Sequence, residues 1–88
     1  MVRKRVVVEG RVQGVGFRMA CARRAEAAGV GGMVRNLPDG RVEAVFEGPP
    51  ASVDALVVWC ERGPSYAHVT STYVVDEPPL GETVFRVS

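Results

Sequence analysis

The sequence predicts an α+β sandwich, a mainly antiparallel sheet with two helices on one of its faces. Three observations carry this. Alternating β-branched stretches and stretches of helical spacing follow one another as β-α-β-β-α-β, with a short strand after them. Most boundaries fall on glycine or proline. The chain has 88 residues, 47% of them apolar, which is enough for one core and too few for two. Residues 1–88 are therefore read as a single domain.

The elements follow in order. "RKRVVVEGRV" is a strand, and its three consecutive valines, Val6–Val8, argue for a central one. "FRMACARRAEAAG" is a helix with Phe17, Cys21, Ala25 and Ala28 on its inner side, Arg23 and Glu26 in water, and Gly29 as a left-handed cap. "GGMVRN" and "RVEAVFEG" flank the turn "LPDG" as a hairpin. In its second arm Val42, Ala44 and Phe46 alternate with Arg41, Glu43 and Glu47, and the two glutamates are read as solvated charge. "PPASVDALVVWCERG" is a second helix, opened by proline and closed by Gly63, with Val53, Leu56, Val57 and Cys60 as its core stripe. Trp59 on this helix is read as packing rather than as a ligand platform. "HVTSTYVVD" alternates Val69, Ser71, Tyr73 and Val75 as a strand, and "TVFRVS" is a short last strand whose place in the sheet the sequence leaves open. This order is the ferredoxin-like split βαβ arrangement. Many unrelated activities use it, so function has to be argued from a site.

Composition removes several function classes. The net charge of +1 lacks the basic excess of a non-specific nucleic-acid binder. No apolar run approaches the ~20 residues of a membrane span. The apolar part of "MVRKRVVVEG" is too short for a signal peptide, so a cytoplasmic protein is expected; Cys21 and Cys60 fit that compartment as buried, reduced thiols, while the sequence leaves a disulfide between them open. His68 is the only histidine and stands alone, and no metal-ligand cluster or nucleophile–base pair is in view. No metal or cofactor is called for.

One segment invites chemistry. "GRVQGVGFR", Gly10–Arg18, joins the first strand to the first helix. Main-chain N–H groups are unsatisfied at a helix N-terminus and the dipole there is positive. Glycines let such N–H groups converge on an anion, and Arg18 would add a guanidinium that grips two oxygens. An ordinary glycine-rich turn with Arg18 in solvent is an equal alternative from spacing alone. The common nucleotide loops do not match: no glycine–lysine–hydroxyl run exists, and a dinucleotide fingerprint begun at Gly14 would need glycine where Met19 stands. Asn36, just before "LPDG", is either a turn former or a residue placed to hold a water beside the anion.

These residues carry a resemblance. "GRVQGVGFR" resembles the first signature of the acylphosphatase family, Gly-x-Val-Gln-Gly-Val-x-[Phe/Tyr]-Arg, at every fixed position. "GMVRNLPDGRVEAVFEG", Gly32–Gly48, resembles the second, with Met33 where the family usually has an aromatic residue. The resemblance extends over almost the whole chain. It implies a stand-alone enzyme that hydrolyses acyl phosphates to a carboxylate and inorganic phosphate, without metal. It implies Arg18 as the phosphate clamp and Asn36 as the residue orienting the attacking water. The main chain of Gln13, Gly14, Val15, Gly16 and Phe17 would form the phosphate cradle with Arg18. The expected partner is a small acyl phosphate, with no nucleic acid and no membrane, and nothing demands more than a monomer. The rival reading is a non-catalytic ferredoxin-like module for an anion or RNA. RNA stacking needs exposed aromatics on central strands, and the candidate, Phe46, falls on the core side.

Overall fold

The valine run lies on an interior strand of the sheet. A computed structural model describes all of residues 1–88. The elements are β1 (Val2–Arg11), α1 (Phe17–Ala27), β2 (Gly31–Asn36), β3 (Val42–Gly48), α2 (Pro50–Cys60), β4 (His68–Glu77) and β5 (Phe85–Val87). The strand order is β4-β1-β3-β2-β5. Val6 stands opposite Ala44 and Val74, and Val8 opposite Val42 and Thr72, so β1 is paired antiparallel on both sides. The last strand docks parallel to β2, with Phe85 opposite Gly32 and Val87 opposite Val34. That fixes the placement which the sequence left open. The other pairings are antiparallel, as expected.

Both helices cover one face, α1 over β2 and β5, and α2 over β1 and β3. Phe17, Cys21, Ala22 and Ala25 form the buried side of α1. Ala28, expected among them, is exposed. The reason is the way the helix stops. Val30 N–H donates to the Ala25 oxygen at 2.9 Å and Gly29 N–H to the Glu26 oxygen at 3.1 Å, with Gly29 at φ +68°. That double bond pattern turns the chain inward after Ala28, and Val30 enters the core instead. On α2 the buried residues are Val53, Leu56, Trp59 and Cys60, while Val57 is only half-buried. The expected stripe is rotated toward Trp59 because α1 lies on that side: the Phe17 and Trp59 rings pack at 5.2 Å. Phe46 stacks on Phe85 at 5.9 Å and closes the core toward the sheet edge. The two cysteines are free and fully buried in the same core.

The helix-free face corrects a further expectation. Glu43 and Glu47 are 7% and 2% exposed, not solvated. The alternation of β3 was read correctly as to direction, but the face away from the helices is covered as well. Arg3 stands opposite Glu47 and Glu77, and Arg35 opposite Glu43. Their ion pairs run Arg3–Glu47 and Arg3–Glu77 at 3.1 Å, Arg5–Glu77 and Arg5–Glu43 at 2.6 Å, and Arg35–Glu43 at 2.7 Å. The chain after β4 folds over this lattice, where Leu80, Gly81 and Glu82 donate main-chain N–H groups to Glu47. Arginine stems supply the apolar cover, so even Val45 on this face is 1% exposed. Burial works to raise the Glu43 carboxyl, but hydrogen bonds from Arg35 and Arg5 outweigh it and hold the group below the usual range. For Glu47 the Leu80 N–H leads, burial opposes, and Gly81 and Arg3 complete a net lowering. Met33 lies on this face opposite Val45, half-buried, and so fills no space in the helix-side core. Tyr73 and Val75 share the face toward the open edge and stay exposed.

Candidate active site

Gly14 and Gly16 bend the loop between β1 and α1. Their φ angles are +73° and +78°, in the region only glycine enters without steric cost. Gly16 is the N-cap of α1 and has no side chain to satisfy the helix start. The first helical bond runs from Ala20 N–H to the Gly16 oxygen at 3.1 Å. As a result the main-chain N–H groups of Gln13, Gly14, Val15, Gly16, Phe17 and Arg18 donate to no acceptor in the protein. Free donors at a helix N-terminus carry the positive end of the helix dipole.

Four of these residues, Gly14, Gly16, Phe17 and Arg18, line a cavity of about 90 Å³ together with Val12, Met19 and Asn36. The first signature and the asparagine of the second therefore meet at one place, although Met19 and Asn36 stand 17 positions apart in the chain. A wider groove of about 490 Å³ runs between the helices, but its lining is mostly apolar, half of it alanine. Its one charged residue, Arg24, lies over the Trp59 ring at 5.2 Å, so it is not aimed at a ligand.

Each expected residue has a definite position. Arg18 donates through Nη1 to the main-chain oxygen of Ser88 at 2.8 Å, and its other N–H groups have no protein acceptor. Ser88 in turn donates its N–H to the Val34 oxygen at 2.9 Å, so the sheet edge steadies the guanidinium. Asn36 ends β2, half-buried, with a carboxamide that bonds to nothing in the protein. The Gln13 side chain is committed elsewhere: Nε2 donates to the main-chain oxygens of Leu37 at 2.8 Å and Arg41 at 3.0 Å. Only its main-chain N–H remains free. Val15 does not line the cavity, and its side chain packs against the core. Two residues were missed from sequence. Met19 lines the cavity, and its place next to Arg18 in the first helical turn could have indicated it. Ser88 could not have been found, because its role depends on where β5 docks.

The fold and site together define a class: a ferredoxin-like α+β sandwich whose first helix opens, beside an arginine, on a small hollow bordered by unpaired main-chain donors. Comparison with known proteins narrows this. The family model for acylphosphatase matches residues 4–87. The acylphosphatase of Gloeobacter violaceus is 57% identical over 86 residues, spanning 98% of this chain and 92% of that protein. That of Rubrobacter xylanophilus is 60% identical over 79 residues, spanning 90% and 72%. The crystal structure of the acylphosphatase from Bacillus subtilis superposes with a TM-score of 0.95 at 35% identity, covering 100% of this chain and 99% of that one. The chain belongs to the acylphosphatase family, hydrolases that act on the acid anhydride bond of acyl phosphates.

Proposed function

We propose that the cavity at the start of α1 seats the phosphoryl group of an acyl phosphate and that a water held by Asn36 attacks it there. The observation that carries this is that Arg18, Asn36 and the residues Gly14, Gly16 and Phe17, whose main-chain N–H groups have no acceptor in the protein, line one space of about 90 Å³. In the step, the water oxygen bonds to phosphorus and the bond from phosphorus to the acyl oxygen breaks. The acyl carboxylate leaves as a weak base, so no general acid is required. Phosphoryl transfer asks mainly for alignment and charge stabilisation. Main-chain donors and Arg18 supply the second, at about 10²–10³ in rate for one well-aimed donor. Asn36 supplies the first by orienting the water. Arg18 is the only titratable side chain lining the cavity, so the water's proton passes to a phosphoryl oxygen or to solvent.

The reading extends to a monomer acting on a small molecule. Two free thiols in the core fit a reducing compartment such as the cytoplasm. Release of inorganic phosphate from benzoyl phosphate, with EDTA present, tests the proposal. Binding of phosphate without release would make this a non-catalytic anion module.

A further inference from the structure

The cavity beside Arg18 is small, about 90 Å³, and partly open to solvent. On the reading above, the phosphoryl group and the attacking water sit against Arg18 and Asn36, which places the acyl group toward the mouth. Of the side chains that line the cavity, Val12 and Phe17 are 1% and 2% exposed and belong to the core, and the glycines offer none. Arg18 and Asn36 are engaged with the phosphoryl group and the water. Met19 remains, 54% exposed and outside the buried side of α1. No carboxylate lines the cavity, and no cation other than Arg18 does. The neighbouring polar hollow formed by Glu9, Asp39 and Arg41 shares no residue with it.

We propose that Met19 is the contact for the acyl group, and that it selects acyl phosphates with an uncharged, apolar acyl part, aromatic ones above all. This rests on the acyl phosphate reading. An unbranched thioether adapts to flat and irregular apolar surfaces and attracts ring edges. An acyl group bearing its own carboxylate finds no second cation there. A side chain that helps neither the core nor the sheet gains a role at this one position.

The test compares kcat/KM for benzoyl phosphate and acetyl phosphate in wild type, Met19→Ala, Met19→Leu and Met19→Glu. The benzoyl-to-acetyl ratio falls about two- to tenfold in Met19→Ala, the range of a sulfur–aromatic contact. Met19→Leu recovers most of it, and Met19→Glu lowers it further. An equal change for both substrates, or an inhibition constant for inorganic phosphate that moves with them, would assign Met19 to phosphoryl binding or folding and overturn the proposal. A ratio unchanged in all variants would overturn it as well. A wild type that releases phosphate from neither substrate would remove the acyl phosphate reading itself, and the proposal with it.

Discussion

The side chain of Gln13 donates to the main-chain oxygen of Leu37 at 2.8 Å, and with it to that of Arg41 at 3.0 Å. The two oxygens sit at either end of the turn that follows Asn36, a turn closed by Leu37 N–H on the Arg41 oxygen. One side chain thus ties the loop that carries the free donors to the strand end that carries Asn36. Glutamate at this position keeps the size but cannot donate. Gln13→Glu loses two hydrogen bonds at about 1 kcal/mol each, so Tm falls by roughly 10 °C. The KM for benzoyl phosphate rises with it. Melting curves together with steady-state kinetics check both parts.

Arg18 and Asn36 border the same cavity but are given different duties, and their variants should differ in kind. Arg18→Ala lowers kcat/KM by about 10²–10³ and weakens inhibition by inorganic phosphate. Asn36→Ala lowers kcat by about 10²-fold and leaves that inhibition nearly as it was. Equal loss of inhibition in the two variants would assign Asn36 to holding phosphate.

Two glycines separate conformational strain from collision. A Cβ on Gly14 meets nothing within 4 Å, whereas one on Gly32 would lie 1.8 Å from the Val45 main-chain oxygen. Gly14→Ala therefore folds, at a cost of about 1–2 kcal/mol for its left-handed backbone, and loses activity because the donors shift. Gly32→Ala breaks the β2–β3 ladder and yields no cooperative transition. Circular dichroism melts distinguish the two.

The acidic limb of stability belongs to the helix-free face. Glu43, Glu47 and Glu77 are all held below the ordinary carboxylate range by their arginine and main-chain donors. A folded-state value below the unfolded one gives stability that is complete above the unfolded value, about 4.3, and is lost as pH falls through the folded one. Tm is accordingly level near neutrality and drops below about pH 4.5. Glu43→Gln lowers Tm at pH 7, since Arg35 loses its carboxylate partner and Arg5 one of its two, and makes the acid limb shallower. An acid limb as steep as in wild type would remove Glu43 from that account.

Hydrogen bonding to Cys21 and then burial push the Cys60 thiol well above its ordinary range. Both thiols are fully buried. Neither therefore reacts with a disulfide reagent in the native protein, and both react at the rate of global unfolding in denaturant. Rapid modification of the native enzyme would show that the α1–α2 seam opens locally.

Most of this protein could be read in its residues, because most of it is local. The period of two in β3 and the helical spacing of Phe17, Cys21 and Ala25 report faces directly. Gly14 and Gly16 announce a left-handed loop, since no other residue enters that backbone region cheaply. Both signatures were visible as well, with Arg18 and Asn36 already in place.

Tertiary structure decided what depends on neighbours distant in sequence. Glu43 and Glu47 look like solvated charge until Arg3, Arg5 and Arg35 arrive from other strands and the 78–82 segment closes over them. Ser88 steadies Arg18 only because β5 docks parallel to β2, a pairing that three residues cannot specify by themselves. The meeting of Asn36 with the glycine loop likewise awaited the sheet order and the Gln13 tie. Local backbone preference is written residue by residue, whereas desolvation and charge pairing are properties of the surfaces that folding brings together.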